Sequence, residues 1–412
     1  MSVEDSSSRT DLPEPSEQTV CRDADELLRW LLDVAYPLWG SCGADTVHGG
    51  FHETLDSNAR PADEPRRLRV QARQVYCFAR AASLGWTGDS GKLLASGLSY
   101  VRSYYRRPDG LFRTLVAPDG TALDERAFLY DQAFVLLALA ESQRALGQQP
   151  ELLADAVSLR EALYTRLKRN EGGFGSEVTD PVPILANPHM HLLEAALAWT
   201  EVSADPAWQV LADDIAQLAL QRFSDPRTGA LRERFGSDWT QLGPEAGPVV
   251  EPGHQFEWAW LLSRWCRGTP GAAFAKAERL VEIGETYGVR RGVVVMGLLE
   301  DFTVIDGSAR LWGQTERLKA SLYLAKRGHQ PRYWATTSSA AATLWKFLAI
   351  PTPGLWHDTL SADGQFVRSR VPASTFYHIV SAITELVSAC LPGNRSAAEG
   401  IPRSATGATR GI

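Results

Sequence analysis

The sequence predicts an all-α chain folded as an (α/α)6 barrel of six helical hairpins. Twelve successive segments place their apolar residues at the helical period, and no long run of strands intervenes. The loops repeat a glycine followed by an aromatic or aliphatic residue roughly every 60 residues, as stacked supersecondary units do.

The segments are Asp25–Trp39, Val70–Leu84, Leu93–Tyr105, Tyr130–Ala145, Glu151–Leu167, His191–Val202, Trp208–Arg222, His254–Cys266, Phe274–Tyr287, Thr315–Ala325, Arg332–Phe347 and Phe376–Cys390. In the first, Leu27, Leu28, Leu31, Ala35 and Leu38 share one face. The loop signal recurs at Gly49-Gly50-Phe51, Gly110-Leu111-Phe112, Gly172-Gly173-Phe174, Gly229-Ala230-Leu231 and Gly364-Gln365-Phe366, with a weak beat near Gly292. Each period holds two helices, and a closed toroid fits that count better than an open solenoid. Residues 21–392 then form one domain without an internal boundary, between tails at 1–20 and 393–412 that lack apolar periodicity. In such a ring the N-terminal ends of the inner helices face one pocket.

Composition narrows the function. The net charge is −7 and no basic run occurs, which argues against a nucleic-acid partner. No long uncharged apolar stretch suggests a membrane span. The first twenty residues lack the apolar core of a secretory signal, so the expected location is the cytoplasm. The five cysteines are scattered without a C-x-x-C, which fits free thiols in a reducing compartment. Thirteen Trp, eleven Tyr and fourteen Phe supply core and also platforms for sugar rings.

Five clusters could carry chemistry. Asn187-Pro188-His189-Met190-His191-Leu192-Leu193-Glu194 opens a helix with His191 and Glu194 on one face. Glu251-Pro252-Gly253-His254-Gln255-Phe256-Glu257-Trp258 repeats the pattern with His254 and Glu257. Each pair alone reads as a hydrogen-bonded structural histidine; the match between successive hairpins sets a catalytic reading beside it. Phe376-Tyr377-His378 opens another amphipathic helix. Among Arg66, Arg67, Arg69 and Arg73, most read as a solvated loop, but Arg73 falls inside an apolar helix and needs an anion or several acceptors. Trp312 stands at a helix start and Trp356 in a loop, with core packing an equal alternative for both.

Histidine, with a pKa of roughly 6.5, suits proton transfer at carbon near neutral pH. An arginine can steady the enediolate that forms. Glu257 is expected to fix the ring of His254 and raise its basicity. Three histidines and two glutamates could also bind zinc or iron, but H-E-x-x-H is absent and the di-iron Glu-x-x-His runs in the opposite order. No metal is expected. No phosphate loop, dinucleotide fingerprint or G-x-S-x-G elbow occurs. A glycoside hydrolase would need two carboxyl groups roughly 5–9.5 Å apart, for which Glu194 and Glu257 are the candidates. A non-enzymatic sugar-binding protein would explain the aromatics but not the matched histidine pairs.

Taken in order, Gly49-Gly50-Phe51, Val70-Gln71-Ala72-Arg73-Gln74-Val75-Tyr76, Tyr130-Asp131-Gln132-Ala133-Phe134, Met190-His191-Leu192-Leu193-Glu194, the Glu251–Trp258 string, Trp312-Gly313-Gln314-Thr315-Glu316 and Phe376-Tyr377-His378 resemble the N-acylglucosamine 2-epimerase family. That family includes cellobiose 2-epimerases, D-mannose isomerases and sulfoquinovose isomerase. The resemblance spans about residues 23–391 and implies the same (α/α)6 barrel. It implies that His254 and His378 are the acid/base pair and that His191 is a third pocket histidine. It places Arg73 beside O1 and O2 of the sugar, and Asn187, Glu194, Glu257, Trp312 and Trp356 around the substrate. It implies no metal or redox cofactor. The strings R-R-L-R-V-Q-A-R-Q-V-Y and E-P-G-H-Q-F-E-W look closest to the mannose-isomerase branch, so the expected reaction interconverts D-mannose and D-fructose, with 2-epimerisation the alternative. Sulfoquinovose would call for a further cationic contact, which the sequence does not place. The expected partners are a free monosaccharide and, at most, a second copy of the chain in a homodimer.

Overall fold

The computed structural model describes residues 16–178, 183–328 and 330–390. Thirteen α-helical segments follow one another: α1 (Glu17–Trp30), α2 (Tyr36–Ser41), α3 (Leu68–Leu84), α4 (Ser90–Tyr105), α5 (Leu129–Leu146), α6 (Pro150–Arg166), α7 (Ala186–Val202), α8 (Ala207–Leu218), α9 (Pro252–Trp265), α10 (Ala272–Ile283), α11 (Leu311–Gly328), α12 (Pro331–Leu348) and α13 (Phe376–Cys390). The expected first helix is real but interrupted. A π-turn at Leu31–Ala35 separates α1 from α2, just before Pro37. Proline has no N–H to give and its ring crowds the carbonyl one turn back, so the ladder widens there. The tail expected through residue 20 ends sooner, because Glu17 already opens α1. Residues 1–15 and the expected 393–412 tail lie outside the described residues.

The inner ring consists of α3, α5, α7, α9, α11 and α13. Each packs on the next, and α13 closes the ring on α3. These helices are buried around most of their circumference, as α5, α7 and α9 show. The outer helices bury one stripe, as expected of a helix with one face in water. Five hairpins are sequential. The sixth pairs the chain's two ends, since α1 packs on α13 and α12. One buried apolar cluster runs from Val20 to Val387. This is the (α/α)6 barrel expected.

The loop repeat has a physical cause. Gln71 of α3 accepts from Phe51 N at 2.9 Å and donates to Phe51 O at 2.7 Å. Gln132 holds Phe112 in the same way, Gln255 holds Leu231, and Gln314 holds Val294. In α7 the device is altered: His189 Nε2 accepts from Phe174 N at 3.0 Å. The weak beat near Gly292 is therefore a full member of the set, with Val294 where others have Phe or Leu. Glycine is required before the clamp because the backbone must come so close. At Gly50, φ is +67°, and a Cβ would lie 2.7 Å from Gln71 Oε1 and 2.8 Å from the Tyr100 ring. Two- and three-residue strands then stitch neighbouring loops together, such as Arg66–Arg67 with Leu115–Val116 and Ile184–Leu185 with Arg234–Phe235. Among the described residues, no helix is long and apolar enough to cross a membrane.

Candidate active site

The N-terminal ends of the inner helices enclose a cavity of about 250 Å³. Arg73 of α3, Asn187 and His191 of α7, His254 and Glu257 of α9, Trp312 of α11 and His378 of α13 all line it. Five inner helices thus bring together residues as far apart in sequence as Arg73 and His378. Glu194 stands behind His191 rather than in the wall. Trp356 lies elsewhere: it is buried against Trp39 and Phe376, with ring centroids 4.9 and 5.7 Å away. Its expected place around the substrate is therefore corrected to a core position.

Each pocket histidine has its Nδ1 held by a carboxylate, which leaves Nε2 as the working nitrogen. For His254 the partner is Glu233 at 2.9 Å, with Glu251 at 3.4 Å. The expectation that Glu257 orients this ring is corrected. Glu257 is turned toward His191, 3.8 Å from its Nδ1, and toward Glu316. For His378 the partner is Glu316 at 2.9 Å. For His191 it is Glu194 at 3.2 Å, and Glu194 also accepts from the Tyr377 hydroxyl at 2.5 Å.

Opposite surroundings give the first two rings opposite charge states. Burial disfavours charge on His254, but Glu233, Glu251 and Glu257 outweigh it and raise the pKa to about 10. Burial, the Arg73 guanidinium and the Lys319 ammonium push His378 well below the ordinary range. His191 is also neutral: burial lowers it to about 4 despite Glu194. Burial and the neighbouring Glu316 carboxylate push Glu257 well above the usual carboxylate range. The Trp312 ring sits between the two principal histidines, 5.1 Å from His254 and 5.9 Å from His378.

Arg73 is 6% exposed. Its guanidinium donates to Tyr130 Oη at 2.7 Å and Ser374 O at 3.3 Å and lies 4.1 Å from the centre of the Phe134 ring. Among the described residues no carboxylate pairs with it, and its Nε is buried without a partner. Asn187 Oδ1 and Glu257 Oε1 are likewise buried and unpartnered. Unmet polar atoms around one cavity mark where a polyhydroxylated ligand would bind.

Sequence reasoning missed Arg67, Arg69, Tyr130, Glu251, Met296, Arg310, Ser374 and Thr375, all in the wall. Arg67 and Arg69 read as a solvated loop, and Arg310 drew no reading, because their partners are remote. Arg67 pairs with Glu53, Arg69 with Asp131 and Arg310 with Asp358. Arg66, which is 2% exposed, is buried against Asp45 and Gly49 O. Three arginines besides Arg73 thus line the cavity, each paired with a carboxylate.

Three sets of carboxylate and imidazole atoms come within 4.8 Å of one another: His191, Glu194 and Glu257; Glu233, Glu251 and His254; Glu257, Glu316 and His378. Apart from those of Glu257, their carboxylates bond to imidazole, to Tyr377 or to the Lys319 ammonium. The arrangement is that of a proton-holding network.

A closed helical toroid with three carboxylate-held histidines and an unpaired arginine in one polar cavity fits an enzyme that acts on sugars. The family described as N-acylglucosamine 2-epimerase (GlcNAc 2-epimerase) matches residues 49–382, and the chain belongs to it. It is 47% identical over 372 residues to a protein of Rhizobium meliloti (strain 1021) named mannose-6-phosphate isomerase, covering 88% of this chain and 96% of that one. It is 30% identical to a D-mannose isomerase of Thermobifida fusca, over 78% of this chain and 83% of the relative. A crystal structure of a D-mannose isomerase superposes with a TM-score of 0.82 at 22% identity, covering 89% of this chain and 98% of that one. Cellobiose 2-epimerase from Spirochaeta thermophila DSM 6192 gives 0.81 at 22%, covering 92% and 98%.

Proposed function

We propose that the chain is an aldose–ketose isomerase that interconverts D-mannose and D-fructose through a cis-enediol(ate). The observation that carries this reading is the pair of carboxylate-held histidines flanking Trp312, whose surroundings favour a neutral base at His378 and a charged acid at His254. His191, neutral and hydrogen-bonded to Glu194, assists ring opening. His378 takes the C2 proton, and the electron pair forms the C1–C2 double bond while O1 takes a proton from His254. Arg73 steadies the negative charge on the oxygens. The ketose forms when C1 receives the proton from His378 and O2 returns its proton to His254. A cavity of about 250 Å³ favours one sugar ring over two.

NMR of the purified protein with D-mannose in D2O tests this. Fructose is expected, with deuterium entering at C1. Glucose without fructose would replace isomerisation by 2-epimerisation, and unchanged mannose would refute both.

A second reading concerns the sugar's far end. Arg67, Arg69 and Arg310 line the cavity, and guanidinium groups suit phosphate oxygens. The relative named mannose-6-phosphate isomerase agrees with a phosphate on the substrate. The same assay with D-mannose 6-phosphate decides: a kcat/KM at least about tenfold above that for mannose would assign the phosphorylated sugar.

A further inference from the structure

Beneath the cavity floor lies a lysine for which the proposed reaction has no step. Lys319 is fully buried. Its Nζ lies 2.7 Å from Glu316 Oε2, 3.4 Å from Ser381 Oγ and 3.7 Å from the centre of the Trp260 ring. Glu257 of α9 and Glu194 of α7 also act on it. An ammonium without water is costly unless anions surround it. Burial opposes its charge here, but Glu316, Glu257 and Glu194 outweigh it and hold its pKa above the ordinary value.

Glu316 joins this lysine to the chemistry. One carboxylate oxygen meets Lys319, and the other accepts from His378 Nδ1 at 2.9 Å. His254 differs. Glu233 and Glu251 both face its Nδ1, and among the described residues neither is paired with a buried lysine. Arg234 and Arg310 act on Glu251 only from a distance.

We propose, on the reading of His378 as base and His254 as acid, that Lys319 is the positioning residue that sets this division of labour. It cancels the charge of Glu316, so His378 is oriented by a carboxylate without being charged by it. The groups facing His378 are Arg73 from α3, His191 and Glu194 from α7, Glu257 from α9, and Glu316 and Lys319 from α11. Arg73 already opposes protonation of His378 from above, and Lys319 does so from below. Without Lys319, Glu316 faces His378 as Glu233 faces His254, and the base fills with a proton.

The test uses the full chain with K319M, K319Q, K319R and the double variant K319M/E316Q. Histidine 15N shifts, recorded without sugar and assigned by the signal lost in H378N, report the charge of His378 directly. Wild type is expected to keep a neutral His378 down to pH 5. K319M and K319Q are expected to raise its titration to about pH 6.5, which leaves about a tenth of His378 unprotonated at pH 5.5 and lowers the ratio of kcat/KM at pH 5.5 to that at pH 8 by about tenfold. K319R, which keeps the charge, leaves that ratio in place. In K319M/E316Q the glutamine still accepts from Nδ1–H without an uncancelled charge, and the ratio returns. A lysine needed only for packing would lower stability but leave the titration unmoved. An unchanged His378 titration in folded K319M or K319Q, or no recovery in the double variant, overturns the proposal. Because the 15N titration needs no substrate, it stands or falls apart from the identity of the sugar.

Discussion

Replacing Glu233 by Gln should convert His254 from a strong holder of its proton into a nearly ordinary histidine. The rise of His254 from 6.5 to about 10 corresponds to about 5 kcal/mol at 1.36 kcal/mol per pH unit. Burial works against that rise, so the carboxylates supply all of it. Glu233 lies 2.9 Å from Nδ1 and Glu251 3.4 Å, so Glu233 carries the larger part, about 3 kcal/mol. Glu233→Gln keeps an acceptor for Nδ1–H and removes the charge, which brings His254 down to near pH 8. The sign follows from the role. An acid must be protonated, so activity is present below the pKa and is lost as pH rises through it. The basic limb of kcat/KM against pH should move from about 10 in the wild type to about 8 in the variant, with little change at pH 6 to 7. Glu251→Gln should move the limb in the same direction by less. An E233Q enzyme that stays active with an unmoved basic limb would refute the assignment of His254 as the charged acid.

Other substitutions separate chemistry from scaffold. His378→Ala should lower turnover by about 10²–10⁴ and abolish deuterium uptake from D2O, while its thermal melt stays cooperative. Trp356→Ala should cost about 3–5 kcal/mol in chemical denaturation and leave KM within twofold, because its stacking partners are Trp39 and Phe376. Trp312→Ala should do the reverse and weaken sugar turnover. Gln132→Leu strips the Phe112 N–H and C=O of their partner, at about 1–3 kcal/mol for each buried group, and should lower Tm without moving the pH profile.

The fold was legible because both of its signals are local. Helical periodicity lies within each segment, and each loop clamp is written within about two dozen residues, as Gln71 with Phe51 and Gln255 with Leu231 illustrate. The histidines and Arg73 stood out for a related reason: a charged or titratable residue breaks an apolar face. Their partners did not. Spacing of three residues put His191 and Glu194 in contact, yet the same spacing did not join His254 to Glu257. Shared helical face permits a contact, and side-chain direction decides it. The true partner of His254 lies 21 residues upstream and that of His378 lies 62 residues upstream on another helix. Trp356 misled for the opposite reason, since a tryptophan in a loop looks exposed until a core closes over it.

One of the three histidine–carboxylate bonds therefore joins two helices of the ring, and a second joins a helix to the loop before it. His378 on α13 depends on Glu316 of α11, while His254 on α9 depends on Glu233 in the loop before it. Arg73 on α3 reaches Tyr130 of α5 and the Ser374 carbonyl just before α13. The surroundings of His378 and Arg73 are thus a property of the closed toroid and not of any one hairpin. A strained or partly opened seam between α11 and α13 would separate Glu316 from His378 before it exposed much apolar core. Destabilising that seam should then cost activity at temperatures where helical content is still intact, and the two losses should part on a melting curve followed by turnover and by circular dichroism.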